Sequence, residues 1–183
     1  MRLHGLPLGR HRYRAQHVCG HYRQPKPSEY DRFRTGLGDV HALVNAIGEM
    51  RRVPHEAGFI AIKVDDIAEV NARFGFDAGD RVLAESAACL MDCSRGKGRL
   101  FRSTGPMFVA LFDELGPEAI DDIASDIERF LGSPVLIGSL EYQPPIRVAT
   151  LHLDGVDRQP VSILNELKAL LGKAVQVPGT KLD

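Results

Sequence analysis

The sequence has no apolar run approaching the roughly 18 residues that span a bilayer, which argues against a membrane-crossing helix. It has only three cysteines, Cys19, Cys89 and Cys93, an odd and sparse set that argues against a disulfide scaffold and fits a reducing compartment. The start is too basic and too broken for a secretory signal, so a cytoplasmic chain is expected. Acid is missing from residues 1–28, which hold six of the 23 basic residues (Arg2, Arg10, Arg12, Arg14, Arg23 and Lys26). From Glu29 onward 17 basic residues face 24 acidic ones, a net of −7, and a compact acidic body does not fit a nucleic-acid-binding surface.

What is present is an ordinary globular balance, 44% hydrophobic and 26% charged over 183 residues, which rules out disorder throughout and allows one well-buried domain but not two full-sized ones. Residues 1–28 show no apolar periodicity and end in Gln24-Pro25-Lys26-Pro27, an extended linker. They are expected to be a flexible basic leader, with the domain over 29–183. The leader's His17-Val18-Cys19-Gly20-His21 matches no zinc-site spacing, so no metal is expected there.

The spacing of Val40, Leu43, Val44, Ile47 and Met50 predicts a helix over 39–52. Gly58 to Asp65 reads as a buried central strand. Asp66 followed by Glu69 is a plausible capping box for a short helix carrying Ile67, Val70 and Phe74, closed by Gly75. A second helix is expected over 77–93, with Leu83, Ala87, Leu90 and Met91 facing inward. Strands at 99–103 and 107–112 form a hairpin through Thr104-Gly105-Pro106. A helix over 117–132, with Ile120, Ile123, Ile127 and Phe130 on one face, strands near 134–141 and 145–153, and a last helix over 160–172 complete the order. The economical fold is α/β of the α+β kind: a mostly antiparallel sheet with a β-α-β-β-α-β core flanked by helices.

Two polar residues stand where packing alone would not put them. Asn71 lies on or beside the apolar stripe of its helix, and Asp80 is three and seven residues before Leu83 and Ala87. A buried carboxamide or carboxylate without a partner costs roughly 1–3 kcal/mol. Either they serve local structure, Asp80 at its helix N-terminus and Asn71 on nearby backbone, or they read a ligand. Cys89 and Cys93 are four apart on a helix and read as small packing residues rather than a redox pair.

The element order and the segment from Asp66 to Glu85 resemble the GGDEF domain, the bacterial diguanylate cyclase module that joins two GTP molecules into cyclic di-GMP. The resemblance covers residues 29–175. It rests on Thr35-Gly36-Leu37 beside the family's L-T-G-L, and on Asn71, Gly75, Gly79 and Asp80 in its N-D-x-x-G-H-x-x-G-D stretch. Arg102 with Phe108 frames its R-x-G-G-D-E-F hairpin. It implies a nucleotide-cyclase-like, palm-like fold. It also implies that the residues matching Asn71 and Asp80 recognise guanine, and that Gly105 and Phe76 border the nucleotide.

The departures concern the metal. The hairpin reads Thr104-Gly105-Pro106-Met107-Phe108, so Pro106 and Met107 replace both acids. The family's strand carboxylate, eight residues before the Asn, is Lys63. In the family these carboxylates hold magnesium, the charge-neutralising device of phosphoryl transfer. At about 4 Å and an effective dielectric of about 20, an ammonium would repel a divalent ion by roughly 8 kcal/mol before screening. Lys63 is expected either to offer its charge to a phosphate in place of the metal or to pair with Asp65. Of the family's inhibitory product site, Arg95 remains but the Asp position is Gly98. The closing basic motif has only an echo at Lys173, read as a solvated helix residue.

The resemblance with these losses implies a catalytically degenerate regulatory module without magnesium, leaning away from enzyme activity, that takes a guanine nucleotide, a second copy or a protein partner. The alternatives are an active cyclase using a rearranged acid such as Asp65 or Asp66, and a pure dimerisation or adaptor domain with an empty pocket.

Overall fold

Seven of the eight residues of β1 (Ala57–Val64) are buried, and the exception is Lys63. Such a strand must be covered on both faces, and the sheet around it does this. In the computed structural model, which describes residues 37–50, 57–94, 96–131, 134–153 and 158–182, β1 is the middle strand of a five-stranded sheet. The order is β2 (Arg99–Arg102), β3 (Met107–Phe112), β1, β6 (Ile146–Leu153), β7 (Gln176–Val177), and every pairing is antiparallel.

Alternation along β1 divides the core. Ile60, Ile62 and Val64 point to the face covered by α2 (Ile67–Phe74), α3 (Phe76–Cys93) and α4 (Pro117–Leu131). Phe59 and Ala61 point to the face covered by α1 (Val40–Met50) and α5 (Pro160–Lys173). Asp39 accepts the Ala42 amide at 2.9 Å and so caps α1. The mostly antiparallel sheet with its β-α-β-β-α-β core is therefore as the sequence implies. The leader 1–28, Thr35-Gly36 and Arg95 lie outside the described residues.

Several local expectations are corrected. The 134–141 segment is a separate small hairpin, β4 (Val135–Ile137) with β5 (Leu140–Tyr142), because Gly138 takes a φ of 62° in a two-residue turn with Ser139. Asp66 makes no capping-box bond. It sits at φ 61°, ψ 11°, a left-handed geometry that turns the chain from β1 into α2 and cannot present the side chain as an N-cap does. Met91, Phe130 and Phe74 are exposed rather than inward. The buried face of α3 is centred on Gly79, Val82, Ser86, Leu90 and Cys93. At about 100° per residue, Asp80 and Met91 fall on its flank. Ser86 holds its core position by bonding the Val82 carbonyl at 2.9 Å. On α4 the stripe closes on Leu131, and Phe130 instead lies under the Arg129 guanidinium, 4.8 Å from the ring centre.

Candidate functional site

The site is built at the end of β1 where the chain leaves the sheet. Register sets Lys63 opposite Met107 of β3 on one side and opposite Arg147 of β6 on the other. All three stand on the α1/α5 face, since Phe59, Ala61, Val109 and Leu151 of the same parity pack there. Two residues on, Asp65 turns back into this group. Lys63 Nζ lies 2.7 Å from its Oδ1, Arg147 Nε donates to Oδ2 at 2.9 Å, and Gln176 Nε2 donates to Oδ2 at 2.7 Å. Asp65 is only 8% exposed, while Lys63 is 47% and Arg147 31% exposed. Burial alone would raise the Asp65 carboxyl, but the bonds from Lys63, Arg147 and Gln176 outweigh it and hold the group below the usual carboxylate value.

These residues do not fit a magnesium ion. Lys63 is a cation, and Met107, 6% exposed, has its thioether packed into the apolar α1/α5 face. Asp65 already serves three donors. Among the described residues no group of three or more His, Cys, Asp or Glu side chains is placed to hold a metal.

The hairpin beside Lys63 is closed by its own backbone. Ser103 donates to the Met107 carbonyl at 2.8 Å, and Val64 of β1 donates to the Pro106 carbonyl at 3.1 Å. Gly105 takes the turn at φ 61° and its carbonyl accepts from Arg102 Nε at 3.3 Å. Arg102 and Phe108, the two framing residues of the motif, are direct cross-strand partners. The arginine thus holds the turn that it precedes. Pro106 is half-buried and offers no side-chain ligand.

The second part of the site is the elbow between α2 and α3, helices that pack on the opposite face of the sheet. Gly75 ends one helix and begins the next at φ 87°, ψ 165°, a region open essentially to glycine. It donates to the Asn71 carbonyl at 3.0 Å, and its own carbonyl accepts from Ala78 at 3.1 Å. Gly79 has a different reason. A Cβ there would fall 2.0 Å from Asn71 Oδ1, so the missing side chain is the space that the carboxamide fills. That oxygen is buried and has no partner among the described residues. Asp80, one residue on, is half-buried at the rim. Phe76 opens α3 with 78% of its surface exposed, and Phe74 beside it is also exposed.

The structure therefore brings Asn71 against Gly79, next to Asp80 in the chain, and separately sets Lys63 abreast of Met107. Arg147 and Gln176 were not anticipated as site residues. Arg147 is readable only once β6 is known to flank β1, where a basic residue on an inward-alternating position is unusual. Gln176 needs β7, a two-residue strand too short to show a period. Lys173 is exposed at the end of α5. Gly98 is packed against Phe112, whose Cε1 would lie 2.6 Å from an added Cβ, so an aspartate fits there only if the ring moves.

Two further groups are set apart from chemistry by burial. No disulfide joins Cys89 and Cys93, whose Sγ atoms are 4.0 Å apart, and the bond to Cys93 together with burial pushes the Cys89 thiol far up, away from thiolate reactivity. The Tyr142 hydroxyl is buried without a partner among the described residues, and burial, with the charges of Asp66 and Glu69, pushes it up to about 12.

The family model described as "Diguanylate cyclase, GGDEF domain" matches residues 40–143. Among solved structures, the diguanylate cyclase SiaD of Pseudomonas aeruginosa, crystallised with its activator SiaC, superposes with a TM-score of 0.71 at 20% identity, over 76% of this chain and 55% of that one. A sensory box/GGDEF family protein of Caulobacter crescentus gives 0.68 at 22% identity, over 78% of this chain and 95% of that one. The FimX GGDEF domain of P. aeruginosa gives 0.71 at 15% identity, over 76% and 90%. This chain thus spans about half of SiaD and most of the other two. No curated protein matches it.

Proposed function

The chain belongs to the GGDEF, or diguanylate cyclase, domain family, and from that premise we propose that it is a catalytically degenerate member serving as a regulatory module of bacterial cyclic di-GMP signalling. It takes a guanine nucleotide weakly, with Asn71 and Asp80 on the base, Phe76 and Gly105 bordering it and Lys63 toward the phosphates. Lys63 pairs with Asp65 at 2.7 Å, the second of its two expectations, and the observation that carries the degenerate reading is this cation beside buried Met107 where the family has carboxylates. Of the three positions where the family has carboxylates, Lys63 and Met107 stand next to each other across β1 and β3 and Pro106 precedes Met107 in the turn, so they hold a cation, a thioether and a proline ring. An ion-dependent reaction has nothing to grip there. Asp65, the nearest replacement acid, is bound by three donors, and Asp66 is spent on the turn, so neither favours a rearranged cyclase.

A thermal-shift titration with GTP, with magnesium and with EDTA, tests the reading. Occupancy at about 100 times the dissociation constant adds about 2.7 kcal/mol of stability. The reading expects a shift in EDTA. No shift at millimolar GTP, or one that requires magnesium, contradicts it.

A second reading, a protein-interaction module that needs no nucleotide, draws on the exposed Phe74 and Phe76 at the elbow. Under it, Asn71→Ala and Asp80→Ala leave partner binding unchanged, whereas a nucleotide-reading module loses its response to GTP. The complex of SiaD with its activator is a precedent for protein control of a related domain.

A further inference from the structure

We propose that Lys63 and Arg147 together form a metal-free site for a polyphosphate chain, with Arg147 as a second cation that the family resemblance does not supply. Its link to a nucleotide rests on the reading above, but the cation pair itself needs no guanine.

The two residues are register partners on adjacent strands and bind opposite oxygens of the same carboxylate, Lys63 at Oδ1 and Arg147 at Oδ2. Asp65 lies behind them, almost fully buried, while both cations reach solvent. Two cations on one anion leave the Lys63–Arg147–Asp65 cluster itself with one net positive charge. The guanidinium is also fixed by a second contact, Nη1 to the Ala174 carbonyl at 3.2 Å, where α5 ends. Gln176 from β7 occupies the remaining approach to Oδ2. An ammonium has three N–H donors and a guanidinium five, so the contacts to Asp65 and Ala174 leave most of them for a ligand. The arrangement is an ordered pair of cations whose ordering element is internal. A divalent ion performs the same neutralisation for a triphosphate, but it would be repelled here. The chemical class that fits is a chain of linked phosphates, bound more tightly as its charge rises.

The experiment is calorimetric titration in EDTA with inorganic tripolyphosphate, GTP and GMP, on the whole chain and on Arg147→Gln, Lys63→Met and Asp80→Ala. Tripolyphosphate is expected to bind, more weakly as salt rises. Arg147→Gln and Lys63→Met should each weaken it on the order of tenfold or more, and Asp80→Ala should leave it unchanged. If Arg147→Gln fails to fold, Lys63→Met, at a solvent-reaching side chain, carries the same comparison. Absence of tripolyphosphate binding at millimolar concentration overturns the inference. So does wild-type affinity in a folded Arg147→Gln, or in Lys63→Met. GMP binding that depends on Asp80, without tripolyphosphate binding, keeps the guanine reading and sinks this one. Tripolyphosphate binding without GMP binding does the reverse.

Discussion

The two halves of the site treat their polar groups in opposite ways. At the sheet end, Asp65 is saturated: one carboxylate accepts from Lys63, Arg147 and Gln176, residues of three different strands. At the elbow, the half-buried Asn71 sets its side-chain Oδ1 against Gly79, where that buried oxygen has no partner among the described residues. An unsatisfied acceptor in a shaped space costs free energy that bare packing would remove. The sheet end is closed on internal partners, while the elbow keeps an acceptor with none among the described residues.

The largest way to break the comparison is at Asp65. Asp65→Ala removes three charge-assisted bonds and should cost about 2–3 kcal/mol in chemical denaturation, less than a buried pair would because both cations reach solvent. Asp65 also predicts an acid limb. Its folded carboxyl lies below the ordinary value of 3.8, so its contribution is complete at pH values above that range. The contribution is lost as pH falls through the lower folded value, and Asp65→Asn should remove that part of the pH dependence. Equal acid sensitivity in the two proteins would show that the cluster is not coupled to folding.

The elbow is tested next by Gly79→Ala. The new methyl meets Asn71 Oδ1, so a loss of about 1–3 kcal/mol is expected, in spite of alanine's better helix propensity. The double variant Asn71→Ala/Gly79→Ala should recover most of that loss, because the colliding group is gone. Additive losses in this cycle would mean that Gly79 does not make room for the carboxamide.

The smallest effect is expected at Phe76. With most of its ring in solvent, Phe76→Ser should change stability by no more than about 0.5 kcal/mol, measured by denaturant midpoint. A larger loss would show that the ring packs in the fold rather than bordering a ligand.

Legibility in the sequence followed from how each residue's role was encoded. β1, β3, α4 and α5 are long or strongly apolar, and their limits are nearly those that period and breakers imply. The Gly138-Ser139 turn is illegible in the sequence because the flanking strands have three residues each, too few to show a period. The Asp66 cap failed because the pattern of a capping box says nothing of the backbone angle at its first residue. Asn71 and Asp80 stood out as polar groups near apolar stripes. Why Gly79 accompanies them required coordinates, since a contact eight residues away in sequence is made by the absence of an atom. Arg147 lay hidden for a related reason: its partner is 82 positions earlier and only the sheet order joins them.

The central claim is that a cation has taken the ground of the ion-holding carboxylates and ended the family's chemistry in this chain. It is tested most directly by incubating the purified chain with GTP and magnesium and resolving the products by chromatography. The account predicts that GTP is recovered and no cyclic di-GMP forms. Accumulation of the cyclic dinucleotide at a rate of about 1 per second or faster, in the ordinary enzymatic range, would contradict it.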